Sequence, residues 1–215
     1  MKGLVTYINE AIKKLERYVN GIIVFDIDDT LLQADNEIIK IYKRKPGEDE
    51  VTLTTSEFAN DPDAEDPSHS DWYDLSDFGN PDKVYQSIVK GKPIIRNLRI
   101  MDSYLDAGYE FCFLTARQCE DIIKDALYKF LKIRNNKNGE LRELGNIFNK
   151  AMSHAINDRS KFYKGTTDAN KKANVLVELC SKYDKVVFVD DDDKNIKNAR
   201  ALKLPNLKII KAWKN

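Results

Sequence analysis

Cysteine and histidine are scarce in this chain of 215 residues: Cys112, Cys119 and Cys180 are unevenly spaced and odd in number, with only His69 and His154 beside them. That count excludes a disulfide framework and disfavours a Cys/His zinc site, which needs four closely spaced donors. No run of 18 apolar residues occurs, so no membrane span is expected. The segment 1–7 lacks the apolar stretch of a secretion signal. A soluble, cytoplasmic protein of one domain is the resulting expectation. No internal repeat and no glycine-rich kinase loop is visible.

Net charge is absent too, with 35 Lys and Arg against 35 Asp and Glu, but the balance conceals an asymmetry. From Pro46 to Asp82 there are 12 acidic residues and no Lys or Arg, so the other 178 residues carry a balance of +12. An acidic block of this kind reads as a solvated loop region, or as an electrostatic lid over a cationic or metal-loaded site. Apolar residues make up 42% of the chain, with ten Tyr, nine Phe and two Trp, enough for a proper core.

Periodicity organises the rest. Leu4, Ile8, Ile12, Leu15 and Val19 predict an amphipathic helix over 4–19 that Asn20-Gly21 stops. Ile22 to Phe25 is a wholly apolar run, as in a strand buried on both faces, and it ends in Asp26-Ile27-Asp28-Asp29-Thr30. Residues 36–58 read as a hairpin around Lys45-Pro46-Gly47-Glu48. Residues 59–82 form a polar stretch in which Trp72, Tyr73 and Phe78 are isolated anchors. After Gly91-Lys92-Pro93 a helix carries Ile94, Ile95, Leu98, Met101 and Leu105. A second buried strand then runs from Tyr109 to Thr115. Helix is expected from Cys119 to Ile133, followed by a polar loop over 135–139, and residues 151–157 suggest a further strand. A helix from Asp168 to Tyr183 would turn Ala173, Leu176, Val177 and Cys180 inward. Val186 to Val189 is an apolar strand running into Asp190-Asp191-Asp192-Asp193, followed by a helix over 196–202 and a strand over 207–213. Strands alternating with helices predict an α/β fold: a Rossmann-like three-layer αβα sandwich with a mostly parallel sheet.

In such a sheet the strands' carboxyl ends share one rim, where ligands bind. Asp26 and Asp28, Thr115, and Asp190 and Asp191 all fall at strand ends. Two carboxylates about 4 Å apart repel by about 4 kcal/mol at an effective dielectric near 20, so several together call for a cation. Oxygen donors without nearby His or Cys select a hard ion, Mg2+ foremost, in an arrangement suited to phosphate chemistry.

These motifs, in this order, resemble the haloacid dehalogenase (HAD) superfamily over Gly21 to about Leu202. Asp26-Ile27-Asp28-Asp29-Thr30 is similar to its DxDxT signature, and Leu114-Thr115 to its second motif. Lys172, opening Lys-Ala-Asn-Val-Leu, is similar to its third, and Val186 to Asp191 to its fourth. The wording Phe-Leu-Thr-Ala-Arg and Phe-Val-Asp-Asp-Asp-Asp-Lys-Asn most resembles small HAD-like hydrolases of large tailed phages, which would place the protein in a host cytoplasm.

The resemblance implies an Mg2+-dependent phosphatase working through an aspartyl-phosphate. Asp26 would be the nucleophile. Asp28 would be the acid and base, helped by burial beside other acids that raises its pKa. Thr115 and Lys172 would hold the phosphoryl group, with Asp29 beside the substrate. Asp26, Asp191 and the Asp28 carbonyl would hold the metal, with Asp190 assisting or orienting Lys172. Lys171 and Lys164 compete with Lys172, and Asp190 and Asp191 could exchange roles, since the family's frequent Gly-Asp is here Asp-Asp.

The resemblance also makes residues 33–90 a small acidic flap or cap within one domain spanning 1–215. Trp72, Tyr73 or Phe78 could stack on a substrate or form a local mini-core. The acidic insertion disfavours a long polyanion over the site. A nucleotide or sugar phosphate is therefore the expected partner, with a nucleic-acid 3′ end as an alternative. A HAD-fold binding or virion-associated structural protein with little activity is the rival from another class. Taken singly, the acidic motifs read as helix caps and Thr115 as a loop hydroxyl. Two other acidic sites fail on pattern. A calcium loop begun at Asp191 would have Ile196 where glycine belongs and Leu202 where glutamate belongs, and a response-regulator receiver orders its acids differently. His69 and His154 read as surface or loop residues, Cys112 as core, and Cys119 as a candidate reactive thiol.

Overall fold

The computed structural model describes residues 19–34, 38–138, 151–158 and 160–214. The helix predicted over 4–19 lies outside them except for its last residue, as do residues 36 and 37 of the predicted hairpin and Gly139 of the predicted loop.

Strand β1 (Gly21–Phe25) is buried at every position, which its sequence Gly-Ile-Ile-Val-Phe permits because no side chain needs water. After it come β2 (Leu32–Gln33), β3 (Ile41–Lys43) and β4 (Val51–Leu53), then a short helix α1 (Thr55–Ala59). Three 3-10 turns and β5 (Tyr73–Asp74) lead to α2 (Pro81–Val89), β6 (Lys92–Pro93) and α3 (Ile95–Asp106). The second half alternates regularly: β7 (Glu110–Thr115), α4 (Glu120–Asn138), β8 (Met152–Ala155), α5 (Asp168–Lys182), β9 (Lys185–Asp190), α6 (Asp193–Ala201) and β10 (Leu207–Lys211).

The main sheet has the order β10-β9-β1-β7-β8, with every neighbouring pair parallel. The chain moves outward from β1 through β7 and β8, then crosses back to β9 on the other side of β1. The order therefore reverses between β1 and β9, and a crevice opens at such a switch point beyond the carboxyl ends. The register pairs Phe25 with Phe113 and Val189, which brings Asp26 beside Asp190.

Strand alternation divides the core between the two faces. Ile23, Phe25, Phe111, Phe113, Val187 and Val189 pack one way, with Val84 and Ile88 of α2, Leu98 and Met101 of α3, and Ile123, Leu127 and Phe130 of α4. Ile22, Val24, Cys112, Leu114, Val186 and Phe188 pack the other way, with Val175, Leu176 and Leu179 of α5 and Ile196 of α6. This is a three-layer α/β architecture of Rossmann type, as predicted.

Several local expectations change. Helix α2 was not anticipated; Asn80 caps it by accepting from the backbone N–H of Asp82 and Lys83, and Pro81 starts it. The predicted hairpin holds as β3 and β4, but Thr54 ends it by capping α1 in a reciprocal box with Glu57. Helix α4 continues through Asn138, where a loop was expected. In α5 the inward stripe is Lys172, Val175, Leu176 and Leu179, one position earlier than predicted, while Val177 is exposed. His154 belongs to β8, half-buried and bonded to Tyr163, and not to a loop.

The chain leaves the sheet at β2 and returns at β6, and these two strands pair antiparallel. Gly91 is required at this neck: a Cβ there would lie 2.8 Å from Leu32 Cδ1 and 3.0 Å from Gln33 O. Between them, β3 pairs with β4 and β5. His69 stacks on Trp72 at 3.7 Å and Phe58 meets Tyr73 edge-on at 5.1 Å, the local mini-core anticipated for these aromatics. Among the described residues no helix is long and apolar enough to cross a membrane.

Candidate active site

Asp26 stands one residue beyond β1, where the apolar run must end because its next side chain enters the crevice. Lys172 reaches it from the first turns of α5, on the same helix face as Val175 and Leu176. The Lys172 Nζ donates to Asp26 Oδ1 at 2.7 Å and to Asp190 Oδ2 at 2.9 Å, and all three side chains are buried. Asp190 is fully engaged. Its oxygens also accept from Asn195 Nδ2 at 3.0 and 3.1 Å and from the Asp192 backbone N–H at 2.8 Å.

Asp191 has other partners. Thr30 Oγ1 donates to its Oδ1 at 3.1 Å, and Lys214 lies 3.0 Å from its Oδ2. Lys214 is delivered by a pinned segment. Buried Asn97 accepts from the Trp213 backbone N–H and donates to the carbonyls of Thr30 and Trp213. Arg96 lies over the Trp213 ring at 4.9 Å. The further acids serve the next helix: Asp192 is the N-cap of α6 and Asp193 lies in its first turn.

Asp26, Asp190 and Asp191 each offer a carboxylate oxygen within 4.8 Å of one another, and all are buried. Against them stand the buried ammonium of Lys172 and, on Asp191, the exposed ammonium of Lys214, leaving an excess of negative charge. Burial pushes the Asp26 carboxyl well above its ordinary range, with Asp190 and Asp28 adding and Lys172 opposing. Burial works to lower the Lys172 ammonium, but Asp26 and Asp190 outweigh it and hold it above its ordinary value. A donor set of oxygens only, with an excess of negative charge, fits a hard divalent cation.

Thr115 closes β7, buried, and its Oγ1 accepts from the Arg117 backbone N–H at 3.3 Å. Asp28 departs from expectation: its side chain is 44% exposed. Arg117 takes it instead, donating from Nε to Oδ2 at 2.7 Å and from Nη2 to Oδ1 at 2.6 Å. The physical reason is position. Asp28 sits on the turn after Ile27, next to Asp29 with its left-handed φ of 52°, so it projects over the rim and not into the sheet. Asp29 itself is exposed on the cavity wall.

Of the three competing lysines, only Lys172 joins the carboxylates. Lys171 donates to Asn157 Oδ1 at 2.6 Å, and the Lys164 carbonyl accepts from Asn174 at 2.8 Å. Asp26, Asp28, Asp29, Thr115, Lys172 and Asp191 line one cavity of about 670 Å³. Ile39, Phe58 and Phe78 from the segment between β2 and β6 form its apolar side. Arg117, Thr30, Asn195 and Lys214 were missed by sequence reasoning. Arg117 directly follows Thr115-Ala116, and its place in that short run was the one available signal. Cys119 lies outside this cavity, and partial burial, then Asp158, pushes its thiol up, which weighs against its reading as a candidate reactive thiol.

No family model matches the chain, and no curated protein matches it. Among solved structures it is similar to a HAD family hydrolase of Salmonella enterica subsp. enterica serovar Typhi, at 14% identity and a TM-score of 0.43. The match covers 84% of this chain and 61% of that one, so this chain spans under two thirds of its neighbour's length.

Proposed function

We propose that the chain is a HAD-type phosphohydrolase that uses Mg2+ to cleave phosphomonoesters through an aspartyl-phosphate on Asp26. The observation that carries this reading is the pairing of buried Asp26 with Lys172, beside Asp191 and Thr115, at the carboxyl rim of a parallel sheet.

In this mechanism Asp26 attacks phosphorus, and the bond to the leaving oxygen breaks. Asp28, half-exposed at the cavity wall, gives that oxygen its proton and then takes one from the water that hydrolyses the aspartyl-phosphate. Lys172 holds Asp26 in place and offers positive charge to the transferring group, and the Thr115 hydroxyl is within the same cavity to bond a phosphoryl oxygen. Asp26, Asp191 and the Asp28 carbonyl would hold Mg2+, which would supply charge stabilisation for the phosphoryl oxygens. Asp190, whose oxygens are taken by Lys172, Asn195 and the Asp192 N–H, is assigned to orienting Lys172, and Asp191 to the metal.

Residues 33–90 act as the flap of a single domain, and their apolar side of the cavity faces the leaving group. A small phosphorylated metabolite, nucleotide or sugar phosphate, suits a cavity of about 670 Å³. The test is phosphate release from nucleoside monophosphates, sugar phosphates, 3′-phosphorylated oligonucleotides and p-nitrophenyl phosphate, with Mg2+ and with chelator. Metal-dependent turnover of small esters, abolished by Asp26→Asn in a folded protein, supports the reading. Unchanged turnover by Asp26→Asn removes Asp26 from the mechanism.

A further inference from the structure

Among the described residues, Arg117 is the one buried cation near the site that no phosphate, metal or nucleophile role accounts for. Its side chain is 4% exposed, and its guanidinium is committed on two sides. Toward the rim its Nε and Nη2 form a fork on the two oxygens of Asp28, at 2.7 and 2.6 Å. Behind, its Nη1 donates to Ser87 Oγ at 2.8 Å. The Ser87 hydroxyl in turn donates to the Val84 carbonyl at 2.9 Å, so its lone pair is the part turned to Arg117. Ser87 is wholly buried on α2, between Val84 and Ile88, which are packed in the main core. The support behind Arg117 is therefore as rigid as the core itself.

A half-exposed aspartate on a turn samples several rotamers in water. The fork removes that freedom, because a planar guanidinium matches a carboxylate in one bidentate geometry. Each Asp28 oxygen keeps a lone pair for a substrate oxygen or a water.

We propose that Arg117 is the positioning residue of Asp28: it fixes the carboxylate that handles the leaving-group proton, and Ser87 fixes Arg117. This rests on the acid and base role given to Asp28 above. Arg117 lines the same cavity and feels the charge of Asp26, but its hydrogen bonds toward the rim go to Asp28, and in this assignment it acts through Asp28. The consequence is selective. Proton delivery matters most when the leaving oxygen is strongly basic and least when it departs unaided as a nitrophenolate.

The experiment is a double-mutant cycle of Arg117→Met and Asp28→Asn, read as kcat/KM on an alkyl phosphate and on p-nitrophenyl phosphate with Mg2+. Met fills much of the arginine's volume, Ser87 keeps its Val84 acceptor, and Asp28 remains in contact with water. Arg117→Met should lower kcat/KM by about 100-fold on the alkyl ester and by less than about tenfold on the nitrophenyl ester, within the span of general acid catalysis. In an Asp28→Asn background the same substitution should change either rate by less than about twofold, because residues acting as one unit are not additive. Losses that multiply in the double variant, or that are equal on both esters, overturn the proposal. Ser87→Ala and Arg117→Lys keep the test open if Arg117→Met does not fold. Ser87→Ala should show the same ester selectivity with a smaller loss, and Arg117→Lys, which keeps the charge without the fork, should restore only part of the rate. Wild-type rates from Arg117→Lys on both esters overturn the need for a fork. Asp26→Asn separates this proposal from the wider one: turnover surviving it removes both, whereas additive losses alongside an inactive Asp26→Asn remove only the role of Arg117.

Discussion

Replacing Lys172 by Met probes the electrostatics of the site without measuring activity. Wild type holds three buried carboxylates against one buried ammonium and the exposed Lys214 on Asp191, and Lys172→Met removes the buried cation. The ammonium bridges Asp26 at 2.7 Å and Asp190 at 2.9 Å and is 4% exposed, so solvent screens little of what is lost. Breaking a buried pair by removing one partner costs about 3–5 kcal/mol, because the other charge stays buried. A chain of this length loses about 2–4 °C of Tm per kcal/mol, so Tm should fall by roughly 10 °C at pH 7 in EDTA. Added Mg2+ should narrow the gap, since a cation on the carboxylates takes over the neutralisation. A ligand at 100-fold its Kd stabilises by about 2.7 kcal/mol. Urea unfolding and calorimetry of both proteins, with EDTA and with Mg2+, measure this. A gap below about 1 kcal/mol in EDTA, or one that Mg2+ leaves unchanged, would refute the charge reasoning.

Asp191→Ala should raise the Mg2+ concentration for half-maximal turnover by about tenfold or more, at least what losing a partner of a ligand costs; unchanged metal dependence removes its ligand role. Lys214→Met should lower that concentration, by no more than about fivefold, since Lys214 is 62% exposed and an exposed pair contributes at most about 1 kcal/mol. A raised requirement would show Lys214 helping the metal instead of competing with it. Glu120 supports a pH test. Burial works to raise its pKa, but Lys161, Ser153 and the Ala155 N–H outweigh it and hold it below the ordinary value. A lowered carboxylate contributes stability above its unfolded pKa and loses it as pH falls through the folded one. Glu120→Gln should therefore be about 1–3 kcal/mol less stable at pH 7. The gap to wild type should close as pH falls below the ordinary Glu range; a gap constant into acid contradicts this.

What could be read in advance was whatever local pattern decides. Val186 to Val189 has no polar residue to place in water and must be a buried strand, and acids directly after it must lie at a rim. The rim's membership followed from parallel strands. Helix α2 escaped notice because only Val84 and Ile88 mark its apolar face within a polar stretch, although Asn80-Pro81 is a usable start signal. The one-position shift of the α5 stripe has a chemical reading: it turns Lys172 inward with Val175 and leaves Val177 in solvent. Periodicity tolerates either stripe, and the pull of two buried carboxylates on an ammonium is a tertiary effect. Arg117 could be read only as the end of the Thr115-Ala116-Arg117 run and not as a partner of Asp28, which is 89 residues away, since a lone arginine after a strand looks like a solvated loop residue. The expectation that Asp28 is buried failed for the same reason. Burial of a turn residue depends on what the rest of the chain brings to it.

The central claim is that Asp26 takes the phosphoryl group. A crystal structure of the protein grown with Mg2+ and beryllium fluoride, a mimic of a bound phosphoryl group, tests it most directly. The account predicts the mimic joined to Asp26, with Mg2+ on Asp26 and Asp191 and contacts from Lys172 and Thr115. A mimic bound elsewhere, or a rim left empty under conditions that inhibit turnover, would contradict it.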